Sequence, residues 1–434
     1  MPTSKPVDFL AHIELVSVTL MVAASLVDTN LLPAAVGVAF FFWPFRLLVR
    51  RISTGRWSLS VRTTADLPVL LLLSMMPVTM WVTTQPEVTL QQVYRLLTGV
   101  ALFYVIVNWA VRGQRIRWLE MSVITAGILL AAFATISVRW ATTKIPFLPD
   151  EVYQRFTILV TDTVHPNVLA GSLVLFLPVA LAALLFGWRQ VNWLHRLLSV
   201  VGLVTISAML AISQSRGAMV AVGVSVLAML ILRWRQAWIV LVPAAFSAGL
   251  GIYRLGFMPI LEALTGNDTL GSLENRLEIW SRALYMVQDF PFTGVGMGSF
   301  TQAADLLYPF FYIAPGRVHH AHNLFLQVAV DLGLLGLLAW LAIFFLAIAC
   351  AVRIYRIGLW RQDGWLAGSG AWLLCSQIAL GVHGLTDAVT WGMVRPAPFV
   401  WILWGIVFGL YNWVMQSDSS TPDGYASENP MRTN

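Results

Sequence analysis

Long apolar runs alternate with short polar segments along almost the whole chain. Twelve of these runs are long enough to cross a bilayer as helices. They lie near residues 10–27, 31–48, 66–82, 92–110, 118–138, 167–187, 197–212, 217–232, 237–254, 324–352, 366–383 and 397–415. Because so many apolar runs need lipid around them, the pattern predicts an all-α, polytopic membrane domain of about twelve helices over residues 1–415. The polar tail at 416–434 is expected to be disordered.

Composition supports a membrane protein and excludes other classes. Of the 434 residues, 58% are apolar and 11% are charged, whereas about 25% of residues are charged in soluble domains. A soluble enzyme, a disordered chain and a domain on a single anchor helix are therefore excluded. Cys350 and Cys375 both lie inside apolar runs, where they support neither a disulfide framework nor a zinc site.

The basic residues indicate the orientation of the chain. If the N-terminus is cytoplasmic, 17 of the 27 Lys and Arg residues lie on the cytoplasmic side, and every inner loop is basic. Both termini are then cytoplasmic. No solvated basic patch with interleaved aromatic residues is present in the sequence, so we expect no nucleic-acid partner. The other ten lie on the outer side, where each needs solvent or a partner: Arg95, Arg139, Lys144, Arg155, Arg216, Arg254, Arg276, Arg282, Arg317 and Arg395.

Two outer segments are long, at about 139–166 and 255–321. In the second, apolar residues repeat at helical spacing: Leu273, Leu277, Trp280, Leu284 and Val287. We therefore expect a long, partly helical loop that packs an amphipathic helix onto the membrane domain. Such a loop is suited to act as a lid over a site at the outer face.

Arg216 stands out among the outer basic residues because of its position. It follows Ser213-Gln214-Ser215 where one span ends outside and the next begins. Ser213 or Ser215 is expected to cap the new helix, whose first N–H groups and positive dipole end face outward. A guanidinium at that terminus makes a site suited to phosphate oxygens. The alternative is an arginine that merely extends its charge to the membrane interface.

A second arginine lies early in the predicted lid helix. Arg276 either binds an anion there or forms a surface charge cluster with Glu274 and Glu278.

Three histidines, His319, His320 and His322, crowd together just before an outer helix start that Asn323 is expected to cap. Because a helix N-terminus disfavours imidazolium, we expect His322 to stay neutral, which suits a general base for a hydroxyl. A hydrogen-bonded interfacial histidine is the alternative. His319 and His322 also have the spacing of a metal pair, but no third ligand follows at a suitable spacing, so no metal site is predicted.

The apolar stretch after Asn323 runs for about 30 residues, or roughly 45 Å as a helix, which is too long for one straight crossing. Gly333 and Gly336 are expected to break it. Asp331 then lies in polar surroundings, either as a functional acid or as the partner of an arginine. The segment Gly294-Val295-Gly296-Met297-Gly298 looks like a phosphate loop, yet no strand precedes it, so a turn is expected.

Four patterns follow one another between residues 160 and 390. They are His165-Pro166-Asn167-x-x-Ala170-Gly171; Ser213-Gln214-Ser215-Arg216-Gly217-Ala218; Arg276-x-x-x-Trp280 with Asp289-x-Pro291-x-x-Gly294-x-Gly296; and Ala321-His322-Asn323-Leu324-Phe325-Leu326-Gln327 with Gly333-x-x-Gly336. Taken in order, they resemble the O-antigen ligase and O-antigen polymerase superfamily. The first 90 residues are similar to that superfamily only in hydropathy.

The resemblance implies an inverting, metal-independent glycosyltransferase of the GT-C type that uses no cofactor. Its site would lie at the periplasmic face of the bacterial inner membrane. The implied partners are membrane lipids, a glycan donor on undecaprenyl diphosphate, and an acceptor. Carried over by position, Arg216 and Arg276 bind the donor diphosphate and His322 activates the acceptor hydroxyl. Gln214 and Asn323 are expected to contact substrate beside them.

Several functions stay open at this point. A ligase transfers the glycan to a sugar of the lipid A core in lipopolysaccharide biosynthesis, whereas a polymerase transfers it to a second lipid-linked repeat. We favour the ligase, although the outer loop is somewhat short for one. An anion transporter also suits anion-binding arginines, but no internal repeat is apparent in the sequence. A cell-wall glycan polymerase of the shape and division type is the remaining alternative.

Overall fold

The computed structural model of the protein describes residues 5–55, 57–111, 113–140, 150–159, 163–239, 243, 246–247, 250–251, 254, 273–392 and 396–419. Apart from a single bridge between Val138 and Val164, the regular structure of these residues is helical. The helices are α1 (Lys5–Val27), α2 (Leu32–Thr54), α3 (Asp66–Val82), α4 (Pro86–Trp109), α5 (Gly113–Ser137), α6 (Asp150–Gln154), α7 (Pro166–Leu185), α8 (Trp193–Ser213), α9 (Arg216–Arg233), α10 (Leu273–Asp289), α11 (Phe300–Leu307), α12 (Leu324–Trp360), α13 (Gly364–Gly384) and α14 (Pro398–Ser419).

Ten of the described helices are long and apolar enough to cross a membrane: α1, α2, α4, α5, α7, α8, α9, α12, α13 and α14. Helix α3 is apolar as well but has 17 residues. The prediction of an all-α, polytopic membrane protein is therefore confirmed. The predicted run at 237–254 lies mostly outside the described residues. Helix α14 continues to Ser419, past the expected boundary at 415, and the rest of the predicted tail also lies outside the described residues.

The core of the bundle lies among α4, α7, α13 and α14, which are largely buried within the protein. Helix α13 packs against α7, α9 and α12, and α14 packs along α4. Bulky aromatic side chains fill this centre, and the largest fully buried ones include Trp372, Trp404, Phe103 and Phe408. Helix α1, by contrast, leaves most of its apolar surface uncovered, as expected of a helix that faces lipid.

The ends of α9, α12 and α13 separate onto two sides of the bundle. On one side, the Nδ2 of Asn323 at the start of α12 donates to the carbonyl oxygen of Leu385 after α13, at 3.2 Å. On the opposite side, the hydroxyl of Tyr355 late in α12 donates to the carbonyl oxygen of Leu232 near the end of α9, at 2.6 Å. We call the side with Asn323 the site side. The opposite side, which carries Arg233, is the one that the basic residues predict to be cytoplasmic.

Helices α10 and α11 lie on the site side, where α10 packs against α12. The predicted amphipathic helix is confirmed as α10, but its predicted buried face is right only in part, since Trp280 and Val287 pack against the buried residues of the outer loop. Ile279, Ala283 and Met286 are fully buried, whereas Leu277 and Leu284 are about half exposed. The sequence of α10 carries two apolar stripes, and the contact with the rest of the fold decides which of them is covered.

Helix α12 is broken near its start, as predicted. Gly333 has φ 69° and ψ −175°, a conformation that favours glycine, whereas Gly336 continues the helix. The N–H of Leu334 donates to the carbonyl oxygen of Pro291 at 2.6 Å instead of to the preceding turn. A Cβ on Gly333 would lie 2.7 Å from the carbonyl carbon of Phe292. The segment after α10 therefore packs directly into the break.

Candidate functional site

The turn between α8 and α9 positions Arg216. Gln214, with φ 51°, reverses the chain between the two helices. Its side chain is buried, and its Nε2 donates to the hydroxyl of Tyr153, which also donates to the carbonyl oxygen of Ile212 at 3.1 Å. The structure thus places Gln214, a predicted substrate-binding residue, inside the turn, where it holds the start of α9 in place.

The N-terminus of α9 is positioned as predicted, but its capping differs. Ser215 occupies the N-cap position, yet its side chain makes no capping hydrogen bond. The Oγ of Ser213 instead accepts the N–H of Ser215 at 3.3 Å. The first turn of α9 therefore has N–H groups that the Ser215 hydroxyl leaves unbonded. Arg216 stands half-buried at this positive end of the helix dipole.

The start of α9 presses on the turn that follows α13. A Cβ on Gly217 would collide with the Oγ1 of Thr386, so this approach requires glycine. The N–H groups of Thr386 and Asp387 both donate to the carbonyl oxygen of His383, at 2.9 and 3.0 Å. We call residues 383–388 the post-α13 turn. Arg216 directly precedes Gly217, so it lies next to the point where α9 contacts the post-α13 turn.

Arg276 reaches the same turn from α10. Its Nη1 donates to the carbonyl oxygen of Thr386 at 2.6 Å. Burial lowers the pKa of the Arg276 guanidinium, and the charge of Asp387 opposes that change. Its Nε is buried without a hydrogen-bond partner among the described residues, which costs free energy unless a ligand supplies an acceptor. Glu278, one of the surface partners considered for Arg276, lies 3.6 Å from Arg282 instead.

The histidine segment joins the site through the cap of α12. As predicted, the Oδ1 of Asn323 accepts the N–H groups of Phe325 and Leu326, at 3.0 and 3.1 Å. The Nδ2 of the same side chain binds Leu385 in the post-α13 turn. His322 adopts φ 47° immediately before the cap. Asn323 therefore fixes His322 relative to the turn that Arg276 also contacts.

The Nδ1 of His322 lies 3.5 Å from the Oδ1 of the buried Asp387. Burial raises the pKa of Asp387, but the adjacent His322 and the charges of His320 and His383 lower it more strongly, so the pKa of Asp387 lies well below its ordinary value. An ionised Asp387 favours a proton on the Nδ1 of His322. The lone pair of Nε2 is then available to another group.

His320 faces the same carboxylate but cannot bind it in the same way. Its Nδ1 accepts the backbone N–H of His322 at 3.2 Å. Because an accepting nitrogen carries no proton, the 3.8 Å separation between this Nδ1 and the Oδ1 of Asp387 is not an ion pair. Burial, together with the charge of His322, lowers the pKa of His320 to about 4, so its ring is neutral at pH 7.

The structure also changes which residues could hold a metal. His320, His322 and Asp387 each place a ligand atom within 4.8 Å of the others. His319 is exposed and is not a member of this cluster. The metal pair considered from the sequence, His319 and His322, is therefore not the pair that the fold brings together. Asp387 is the third ligand that the spacing of the sequence did not show, and it lies in the turn after α13.

Asp331 belongs to a buried network that adjoins the histidine segment, because the Oε1 of its partner Gln327 accepts the N–H of Ala321 at 2.7 Å. Its Oδ1 accepts the Nε2 of Gln327 at 2.9 Å, its Oδ2 accepts the Nε1 of Trp391 at 2.8 Å, and the N–H of Gly298 also donates to it. These described partners are neutral donors rather than the arginine considered from the sequence. Gly294 and Gly298 have positive φ and lie in a turn, as expected; Gly294 lies against α12 just before its break, and Gly298 lies against α4. The network joins the outer loop to α12.

Sequence reasoning missed the post-α13 turn as a whole. Arg276 binds this turn, His322 faces it, and Gly217 packs on it. The turn nevertheless lies far from all three residues in the sequence. An available signal was Asp387 itself, a carboxylate just past the outer end of a span in a chain with few charges. Together these residues place the Arg276 guanidinium, the N-terminus of α9 that carries Arg216, and a histidine–carboxylate pair around one turn. Such a site can bind an anion and accept a proton from a hydroxyl.

Comparison with known proteins agrees with the resemblance seen in the sequence. Residues 201–341 match the family model described as O-antigen ligase. The matched segment includes Arg216, Arg276 and His322, and it confirms the resemblance to the O-antigen ligase and O-antigen polymerase superfamily. This is a glycosyltransferase-like family whose substrates are lipid-linked glycans, and the helices make this chain a multi-pass membrane protein. No curated protein matches the chain significantly.

Proposed function

We propose that this protein, which matches the O-antigen ligase family over residues 201–341, is an inverting glycosyltransferase of lipopolysaccharide biosynthesis. It transfers a glycan from undecaprenyl diphosphate to a sugar hydroxyl of the lipid A core, at the periplasmic face of the bacterial inner membrane. The observation that carries the proposal is that three elements contact one turn, the post-α13 turn: the start of α9 beside Arg216, the guanidinium of Arg276, and the cap of α12 beside His322.

The donor diphosphate binds between Arg216 at the start of α9 and Arg276 in α10. A guanidinium presents two parallel donors that match a pair of phosphate oxygens. The first N–H groups of α9 add donors of the kind that bind phosphate at helix N-termini. Because the post-α13 turn fixes both elements, these donors are in place before negative charge develops on the leaving group.

His322 acts as the general base for the acceptor. Its Nε2 takes the proton of the acceptor hydroxyl while the hydroxyl oxygen forms a bond to the anomeric carbon of the donor. The bond from that carbon to the diphosphate oxygen breaks, and its electron pair leaves with undecaprenyl diphosphate. Attack from the opposite side inverts the anomeric configuration. Asp387 stabilises the imidazolium that forms, and the ring then releases the proton to solvent.

The leaving group in this reaction needs no general acid. Undecaprenyl diphosphate gains one negative charge, and Arg216 and Arg276 stabilise that charge in the place of a proton or a metal ion. We therefore expect transfer to continue in excess chelator. Asn323 supports the reaction by holding His322 at the cap of α12, and Gln214 supports it by holding the turn that carries Arg216.

Glycan transfer by the purified protein in lipid nanodiscs tests the proposal. With a lipid-linked glycan, a lipid A core acceptor and excess chelator, we expect wild-type turnover. Arg216→Ala, Arg276→Ala and His322→Ala should each lower kcat/KM by about 10²- to 10³-fold. Arg233→Ala, at the other end of α9, is the matched control and should turn over normally. Normal turnover by all three site variants refutes the proposed site.

Deletion of the gene separates the ligase from the other functions. A ligase mutant should carry an unmodified lipid A core and accumulate polymer on undecaprenyl diphosphate, whereas a polymerase mutant should show single repeats. An anion carrier would instead move a labelled anion across liposomes that lack any lipid-linked glycan. The position of the charged groups at helix ends supports the enzyme, since carriers bind their ions where helices break near the midplane.

A further inference from the structure

We propose that His320, His322 and Asp387 form a site for a transition-metal ion such as Zn²⁺, and that the bound ion inhibits glycan transfer. The binding of the ion follows from the geometry of these three side chains alone. Its inhibitory effect rests on the function proposed above, in which His322 must accept a proton. The two parts are therefore tested separately.

The distances between the three side chains suit zinc. Zinc holds histidine nitrogens and carboxylate oxygens at about 2.0–2.2 Å in a tetrahedron, so two of its ligand atoms are roughly 3.4 Å apart. The Nδ1 atoms of His322 and His320 lie 3.5 and 3.8 Å from the same Oδ1 of Asp387. All three ligand atoms lie within 4.8 Å of one another. Only small side-chain rotations are needed to surround an ion.

The chemistry of the three ligands selects the kind of ion. Two imidazoles and one carboxylate favour Zn²⁺, Co²⁺, Ni²⁺ or Cu²⁺, whereas Mg²⁺ and Ca²⁺ prefer sites built from oxygen atoms. Asp387 supplies a negative charge that partly compensates the ion. Arg276 lies near Asp387 and His320 and opposes a second positive charge there. We therefore expect reversible binding, weaker than that of a structural zinc site with four protein ligands.

The cluster is poised to receive an ion with little rearrangement of the backbone. His320 and His322 stack with their ring centres 4.2 Å apart, and both present Nδ1 to the carboxylate. Binding replaces the 3.2 Å hydrogen bond between the Nδ1 of His320 and the N–H of His322. Asp387 is held by the hydrogen bonds of the post-α13 turn, so it serves as the fixed ligand.

An ion in this site disables the proposed base. When Nδ1 of His322 coordinates the metal, the proton of that ring moves to Nε2 through solvent. The protonated Nε2 can no longer accept a proton from the acceptor hydroxyl. The ion also takes the carboxylate of Asp387 away from His322. The expected effect is a loss of turnover that a chelator reverses.

Binding is tested without any glycan, by titrating chelator-treated protein in nanodiscs with Co²⁺ and recording its visible d–d absorption. We expect a saturable signal that Zn²⁺ removes and Mg²⁺ does not. His320→Asn keeps an acceptor near the position of Nδ1 but loses the imidazole, and it should weaken Co²⁺ binding at least about 10-fold. Asp387→Asn, a second variant for this assay, should weaken binding as well.

His319→Asn is the matched control for the binding assay, because His319 neighbours the cluster in sequence but is exposed and lies outside it. It should bind Co²⁺ like the wild type. A wild type without a saturable signal overturns the site, and so does an equal loss of binding in His319→Asn and His320→Asn.

Inhibition is tested in the transfer assay. Zn²⁺ should inhibit the wild type and His319→Asn, and chelator should restore both. His320→Asn, measured relative to its own rate without Zn²⁺, should require at least about 10-fold more Zn²⁺ for inhibition. Loss of transfer in chelator alone would make the ion a cofactor and overturn the inhibitory role. If Co²⁺ binds but no lipid-linked glycan is transferred, the metal site stands and the proposed function fails. If transfer is normal and no Co²⁺ binds, the proposed function stands and the metal site fails.

Discussion

The Nδ1 of His322 lies 3.5 Å from the Oδ1 of Asp387, although the two residues belong to different helix connections. His322 precedes α12, and Asp387 follows α13. The hydrogen bond from Asn323 to Leu385 holds the two connections together. The tautomer of the proposed base is therefore set by a carboxylate that is brought to it by the packing of α12 on α13.

Asp387→Asn tests this relationship. An amide keeps the shape of the side chain but can donate its N–H to Nδ1, which favours the tautomer with the proton on Nε2. Replacement of the equivalent carboxylate in a Ser-His-Asp triad lowers kcat by about 10⁴-fold, and we expect a fall of about 10²- to 10⁴-fold here with little change in KM for the donor. Steady-state kinetics in nanodiscs measure both constants. Asp305→Asn, in an outer carboxylate that binds Gly316, is the control and should match the wild type.

Arg276→Lys tests whether the guanidinium fork is required. Arg276 uses Nη1 to bind Thr386, which leaves its other donors for the diphosphate, and a lysine ammonium cannot do both. We expect kcat/KM to fall by about 10²-fold, as for the loss of one preorganised donor. Arg282→Lys is the matched control on the same helix. Arg282 pairs with Glu278 and lies over the ring of Phe311, contacts that lysine largely keeps. Equal rates for the two lysine variants would contradict the role of Arg276.

Local signals in the sequence predicted several residues of the site. The site residues that sequence reasoning missed act through contacts between distant segments. Arg216, His322 and the Asn323 cap are recognisable because helix ends have local rules for capping and charge. Asp387 and Thr386 act through contacts with α9, α10 and α12, and no local pattern marks such contacts.

Gly333 and Gln214 also show that contacts between distant segments are not readable from local sequence. The break at Gly333 was predicted from helix length, but the segment that fills it was not, because Pro291 and Gly333 meet only after α10 has docked. Gln214 stays a predicted substrate-binding residue, but its structural contact was not predicted. Its burial against Tyr153 depends on a segment that joins the site from elsewhere in the chain.

The stability of the protein should depend on pH through His320. Burial lowers the pKa of His320 to about 4 in the folded protein, whereas an unfolded chain has a histidine pKa of about 6.5. Between these values the unfolded chain binds a proton that the folded protein does not, so stability falls as the pH decreases from 7 towards 4. At pH 5 the free energy of unfolding is then lower than at neutral pH by on the order of 2 kcal/mol.

Thermal unfolding in nanodiscs at pH 7 and pH 5 measures this dependence. The apparent Tm of the wild type should fall between the two values by more than that of His320→Asn, which has no ring to protonate. His319→Asn should behave like the wild type, because its exposed side chain is not part of the buried cluster. An identical fall in Tm for His320→Asn and the wild type would show that His320 does not carry the effect.

The contact between Gly217 and Thr386 should control the position of Arg216. In Gly217→Ala the new Cβ would collide with Oγ1 of Thr386 and push the start of α9 away from the post-α13 turn. Because a displacement of about 1 Å at a reacting group can cost about 10²-fold in rate, we expect kcat/KM to fall by roughly 10- to 10²-fold. The same change at Gly223, where no heavy atom lies within 4 Å of the added Cβ, is the matched control. Gly223→Ala should keep full activity, since alanine also favours the helix by about 1 kcal/mol.

A second substitution identifies the clash as the cause. Thr386→Ala removes Oγ1 but keeps the carbonyl oxygen that accepts Arg276, and the nearest remaining atom to the added methyl is then the Cβ of residue 386, at 3.3 Å. The double variant Gly217→Ala/Thr386→Ala should therefore recover most of the lost rate. The two changes interact through direct contact, so their effects on kcat/KM should not add. A double variant as slow as Gly217→Ala alone would mean that the position of Arg216 does not depend on how closely α9 packs against the post-α13 turn.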